Sequence, residues 1–221
     1  MFAPVKIVVG DHDLPTIDDL VAAFVRVRRL RRNVAVHCVT RVGLLLALTA
    51  WEDIGSLPGD RIEHGAVIPL ELIGTIADLG LTVVTQPSFA HQRGDQYLAD
   101  VDAEDVSGLW RCGSLIDAGM AVGGSTDAPF GDADPWRAVV AATERLTSSG
   151  APIGLGERIA SRVLDMFLTS PHDPGGKLRR IAVGEPAELC ILSAPLAEVL
   201  GAPSSTLVRA TYANGRLHPS E

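Results

Sequence analysis

His37, His64 and Asp127 each stand where a short apolar run stops. "VAV" ends in His37, "RIE" in His64 and "AVGGST" in Asp127. Two further runs stop in polar residues: "TVVT" at Gln86-Pro87, and "VKIVV", which carries Lys6 inside it, at Gly10-Asp11-His12. In parallel β/α folds catalytic groups gather at the C-terminal ends of strands, where neighbouring ends share one small site. Two imidazoles and a carboxylate on such a rim suit Zn²⁺ or a similar divalent ion.

Each residue also has a plain structural reading. A histidine such as His37 is commonly a core residue bonded to backbone. His64 has Glu63 and Asp60 beside it as ordinary partners. Asp127 in "STDAP" is a natural turn or cap residue. Lys6 could snorkel its ammonium to the surface, whereas full burial would be costly unless it were neutralised, modified or paired. The joint placement at successive strand ends weighs more than any one member.

The elements that must position these residues alternate along the chain. "VKIVV" (5–9) is a strand by its β-branched content. A helix follows over "TIDDLVAAFVRVRRL", with Thr16 as N-cap and acidic residues in its first turn. "VAVHCV" (34–39), "RIEHG" and "LTVVTQP" (81–87) read as strands, separated by helices over "VGLLLALTAWEDIG" and "PLELIGTIADLG". A longer connection (88–110) leads to the helix "RCGSLIDAGM" and a last strand in "AVGGSTDAP", with helices at 135–147 and 156–168. This alternation implies a parallel sheet with right-handed crossovers. The segment 171–221 differs, with "AELCILS", "VRATYANGRLH" and turns at Gly184-Glu185-Pro186 and Asn214-Gly215. It reads as a small antiparallel β appendage to a β/α domain over 1–170.

The hydrophobic content is 47% with only 5% aromatic residues, so the core must be mostly aliphatic, as in a parallel sheet buried on both faces. A formal net charge of -8 repels polyanions, and no nucleic-acid partner is expected. The basic run "RVRRLRR" (Arg26, Arg28, Arg29, Arg31, Arg32) lacks interleaved aromatics and reads as a solvated helix end. The longest apolar run, "VGLLLALTAW", falls short of the roughly 20 residues a bilayer span needs, so no membrane partner is expected. Cys38, Cys112 and Cys190 are widely spaced and form no Cys-x-x-Cys pair, which with the absence of a signal-peptide pattern predicts a cytoplasmic protein. "VVGDHDLP" is not a Gly-x-Gly-x-x-Gly loop, which ranks a nucleotide-binding open sheet last.

Taken together, "VKI", "VAVHC", "RIEHG", "VVTQP", "LIDAG", "STDAP" and "ADPW" resemble the amidohydrolase superfamily, in its amidohydrolase 3 branch. The tail "GKLRRIAVGEPAELCIL" with "TYANGR" is similar to the closing β-domain of that branch. The resemblance implies about the last five units of a (β/α)8 TIM-type barrel, with 171–221 as part of a composite β-domain. It implies a divalent metal, zinc, as one or two ions. His37, His64 and Asp127 would be its ligands. Asp127 would also be the catalytic base, and Lys6 a ligand, carboxylated to a carbamate. Gln86 and Arg111 would line the substrate side. The implied reaction is hydrolysis of a non-peptide carbon–nitrogen bond in a small-molecule amide by a metal-activated water.

The chain also departs from that pattern. It has no His-x-His pair, and "HCVTR" has Thr40-Arg41 where the family commonly has Gly-Asp. A full barrel takes about 250 residues, more than the 221 here. The expectation is therefore a truncated barrel, completed by an N-terminal half or associated as a homo-oligomer. The alternative is an inactive half-barrel remnant or interaction subunit that lacks part of the ligand set.

Overall fold

A computed structural model describes residues 3–10, 12–170 and 172–219. The polar strand end expected at Asp11 and the boundary residue Pro171 lie outside the described residues. The chain forms a five-stranded parallel sheet in sequence order and a separate three-stranded antiparallel sheet. The first sheet contains β1 (Val5–Val8), β2 (Val34–Cys38), β3 (Arg61–His64), β4 (Thr82–Thr85) and β5 (Val122–Gly124). α1 (Ile17–Arg29) and α2 (Arg41–Ile54) connect the first three strands.

Local chemistry sets the helix ends. Thr16 caps α1 by accepting from the Asp19 amide, and Thr40 caps α2 by accepting from the Gly43 amide. The two helices pack through Phe24 and Trp51, whose rings lie 5.1 Å apart. The helix predicted over 69–80 is instead a 3-10 turn (Leu70–Leu72) followed by α3 (Ile73–Asp78). Neither piece has a side-chain cap to lengthen it.

The 88–110 connection is not structureless. It holds α4 (Phe89–Gln92), α5 (Gly94–Asp100) and a 3-10 turn at Val106–Gly108. α6 (Gly113–Asp117) is shorter than its predicted span, and α7 (Pro135–Glu144) is capped by Asp134 with Pro135 in its first turn. The predicted helix 156–168 breaks into 3-10 turns and α8 (Val163–Phe167).

The C-terminal segment contributes β6 (Leu189–Leu192), α9 (Leu196–Gly201), β7 (Val208–Ala213) and β8 (Arg216–Pro219). The β7–β8 hairpin turns at Asn214 and Gly215, both left-handed with φ of 50° and 73°. That is the geometry which makes Asn-Gly a hairpin signal. Leu200 packs this segment onto the main core.

Pairing register assigns the strand faces. Val36, Ile62 and Val83 point one way, are fully buried, and meet the helices. Lys6, Val8, His37 and Glu63 share the opposite face. The expected solvated Arg run is only partly so. Arg28 forms an ion pair with the fully buried Asp60, and Arg32 donates to Ala3 and Pro4 carbonyls. Asp60 also accepts from Trp51 Nε1 and the Val34 and Leu57 amides, so it ties α1, α2 and β2 together. Among the described residues no helix is long and apolar enough to cross a membrane.

Candidate active site

The strand ends of β1, β2, β3 and the turn after β5 open into one cavity of about 460 Å³. Lys6, His37, His64 and Asp127, the four residues singled out as metal ligands, all line it. Strict alternation would turn His64 toward the helices with Ile62. The left-handed φ of His64 (74°) breaks the alternation, and its ring meets His37 edge-on at 4.3 Å. Non-glycine residues pay of order 1–3 kcal/mol for such backbone, and they concentrate at functional sites. Asp127 (φ 55°) and Trp110 (φ 42°) line the same cavity with the same kind of backbone.

His64 is held for a purpose its sequence neighbours do not explain. Glu63 pairs with Arg61 and Asp60 with Arg28, so neither is its partner. Its Nδ1 lies 2.9 Å from Gln86 Oε1. An amide oxygen only accepts, so Nδ1 is the donor of this pair, and Nε2 is the nitrogen left for another partner. That Nε2 is buried and has no hydrogen-bond partner among the described residues. One ring nitrogen held by an amide and the other unpartnered is the arrangement in which a histidine is oriented toward a metal. His64 thus offers a donor of the kind a divalent ion takes, with the His37 ring beside it.

Other expected assignments change. Gln86 is buried, is not among the residues lining the cavity, and contacts His64. Arg111 is also absent from the lining. Its Nη1 donates to Glu157 at 2.7 Å and its Nε to the Ile68 carbonyl at 2.6 Å. Glu157 additionally accepts from the Cys112 and Ser114 amides. Burial pushes its carboxyl up, but the Ser114 and Arg111 donors outweigh this and hold it below the usual range. Lys6 is exposed, so the cost of burying a lysine does not arise. Finally, His37, His64 and Asp127 share a cavity but do not close into a cage. Among the described residues no group of three His, Cys, Asp or Glu side chains is placed to hold one ion.

The far wall was not anticipated. Phe89, Arg93, Gln96, Tyr97, Trp110 and Phe130 line it, bringing four of the ten aromatic residues to one place. Three of them come from the 88–110 connection, and that clustering was a readable signal. The Trp110 backbone is fixed from behind. Fully buried Arg145 donates to the Leu109, Trp110 and Ile153 carbonyls at 2.7, 3.1 and 2.9 Å. Burial pushes the neighbouring Cys112 thiol up to about 12, which removes it as a nucleophile.

The profile of the amidohydrolase family matches residues 9–218. The chain belongs to that family. It is 27% identical over 203 residues to an N-substituted formamide deformylase from Arthrobacter pascens, covering 87% of this chain and 38% of that protein. An uncharacterized metal-dependent hydrolase from Pyrococcus furiosus superposes with a TM-score of 0.62 at 25% identity, covering 74% of this chain and 38% of that one. A Xaa-Pro dipeptidase shares the fold at TM-score 0.60 and 19% identity, covering 99% and 55%. The chain thus spans well under two thirds of each of these relatives.

Proposed function

We propose that the chain supplies the last five β/α units and part of the ligand set of a metal-dependent amidohydrolase with a (β/α)8 barrel. The observation that carries this reading is the bare, buried Nε2 of His64, oriented by Gln86 and set against His37. His37 and His64 would hold a divalent ion, zinc by donor chemistry. Lys6, which lines the cavity and has no ion-pair partner among the described residues, would add a carbamate oxygen if carboxylated. When bound, the ion supplies Lewis acidity that polarises the scissile carbonyl and acidifies the attacking water.

The protein's own groups do the rest. Asp127 takes a proton from the water and returns it to the leaving nitrogen, yielding a carboxylic acid and an amine. Gln86 keeps His64 in one tautomer through both steps. The aromatic wall excludes bulk water from the far side. The activity of the formamide deformylase relative supports an N-acyl or N-formyl amine as substrate, a non-peptide amide. Catalytic zinc sites use three protein ligands, and this cavity gathers two close imidazoles. We therefore infer that the remaining donors come from a complementing N-terminal half docked on the open face of β1.

That no three-donor group is found among the described residues favours one second reading, a non-catalytic half-barrel that serves as an interaction subunit. Metal analysis separates them. Near-stoichiometric zinc, lost in His64→Ala, with amide hydrolysis restored by added zinc and complementing half, supports the enzyme. No binding at micromolar zinc, with or without that half, leaves the interaction subunit.

A further inference from the structure

The aromatic part of the cavity, which adjoins Asp127 through the Phe130 amide, carries polar groups that the hydrolytic reading does not use. Arg93 lies with its guanidinium carbon 4.5 Å from the Phe130 ring centroid. Its Nη2 makes one long contact, 3.4 Å, to the Phe130 carbonyl. Its Nε is buried and has no hydrogen-bond partner among the described residues. Trp110 is fully buried, and its Nε1 is likewise without a partner among the described residues. No carboxylate pairs with Arg93 among the described residues, in a chain with 27 acidic and 19 basic side chains. A buried donor left unpaired is costly, and a guanidinium bonds most strongly to a carboxylate.

The space around these donors is flat and apolar. Phe89 and Phe130 meet at 5.8 Å, and Tyr97 and Trp110 at 4.6 Å, all four along the cavity. The volume of about 460 Å³ is in the range of small-molecule sites, roughly 300–1,000 Å³. We propose that this aromatic region binds the non-reacting part of the substrate, a flat apolar group ending in a carboxylate held by Arg93 and Trp110. Arg93 then determines specificity: it selects amides with an anionic tail over neutral amides of the same shape. The proposal names a substrate class for the amidohydrolase reading and rests on it only in taking this cavity as the substrate site.

The test uses the full chain stripped of metal by chelation, so neither hydrolysis nor metal loading enters the readout. Three probes are titrated by ligand-observed NMR: phenylacetate, its neutral isostere phenylacetamide, and acetate. Phenylacetate is expected to bind about tenfold more tightly than either of the others. Arg93→Met should erase its advantage over phenylacetamide and leave phenylacetamide binding unchanged. Arg93→Gln serves the same purpose if the Met variant folds poorly, and Arg93→Lys should keep part of the advantage. Equal binding of phenylacetate and phenylacetamide by the unaltered chain overturns the proposal. So does an advantage that survives loss of the guanidinium, or one that disappears in Lys6→Met while persisting in Arg93→Met.

Discussion

The two faces of the parallel sheet were built to different ends. On one, Val34, Val36, Ile62 and Val83 are fully buried against α1, α2 and the helices that follow. On the other, the cover runs out along the sheet. Pro174 and Gly175 press against Gly123 near β5, where an added Cβ would meet Pro174 at 2.7 Å. At β1 Lys6 is exposed and Val8 is 64% exposed. The polar residues of chemical interest all sit on or beside the less covered face. The helix face is packed and the other face holds the residues of the proposed site, so substitutions on the two should have opposite signatures.

The largest effect is expected where the helix face is tied together. Asp60→Ala removes the acceptor for Trp51 Nε1, Asn33 Nδ2 and the Val34 and Leu57 amides, and strands the Arg28 guanidinium, whose side chain is only 18% exposed. Breaking a buried pair costs about 3–5 kcal/mol, and urea unfolding should read a loss of that order. Burial pushes the Asp60 carboxyl up, but Arg28 and the Val34 and Leu57 amides hold it below the usual carboxylate range. Its folded pKa is therefore lower than its unfolded one. Stability from this group is complete above the unfolded value, near 3.9, and is lost as pH falls through the folded one. In Asp60→Asn this part of the acid dependence should vanish. An unchanged acid limb would locate that dependence elsewhere.

A pair of adjacent residues then sharpens the contrast. Ile62 faces the helices with no exposed surface, while Glu63 faces the cavity side and pairs with Arg61 at 2.6 Å. Ile62→Ala should cost about 2–5 kcal/mol through the lost contacts and cavity. Glu63→Ala should cost less, about 1–3 kcal/mol, because it removes one part-buried charged contact and leaves no comparable cavity against the helices. Comparable losses at both positions would show that the second face is as tightly packed as the first.

Much of this division was legible from residue order. The β-branched runs gave the parallel sheet because strands buried against helices need them, and the polar residue ending each run marked the rim. Arg111 was misplaced for a physical reason: a guanidinium beside a strand looks the same in sequence whether it faces a ligand or a buried glutamate 46 residues away. Gln86 stands at the expected strand end and contacts His64, a partner that residue order alone does not reveal because the two are 22 residues apart. The aromatic wall was missed because its members come from two short helices inside what read as a loop, α4 and α5, and from turns at 110 and 130. Helix lengths failed where 3-10 turns replaced α-helix, a difference that periodicity over 6–12 residues does not resolve.

The smallest effect on stability comes from Val8, and it bears most directly on what the open face is for. Val8 is in register with His37 and ends β1, whose outer side has no strand partner among the described residues. An exposed apolar residue at an unpaired strand edge invites association. Val8→Asp removes little native packing, so unfolding free energy should move by about 0.5 kcal/mol or less. Association should respond instead: light scattering of the unaltered chain should show species larger than a monomer at high concentration, and the variant should show fewer. If Val8 belongs to the surface that receives a complementing half, the same charge should also weaken capture of that half at unchanged stability. A monodisperse monomer in both forms would mean that this face is adequately covered as it stands, and that the donors missing from the cavity must be sought from another direction than β1.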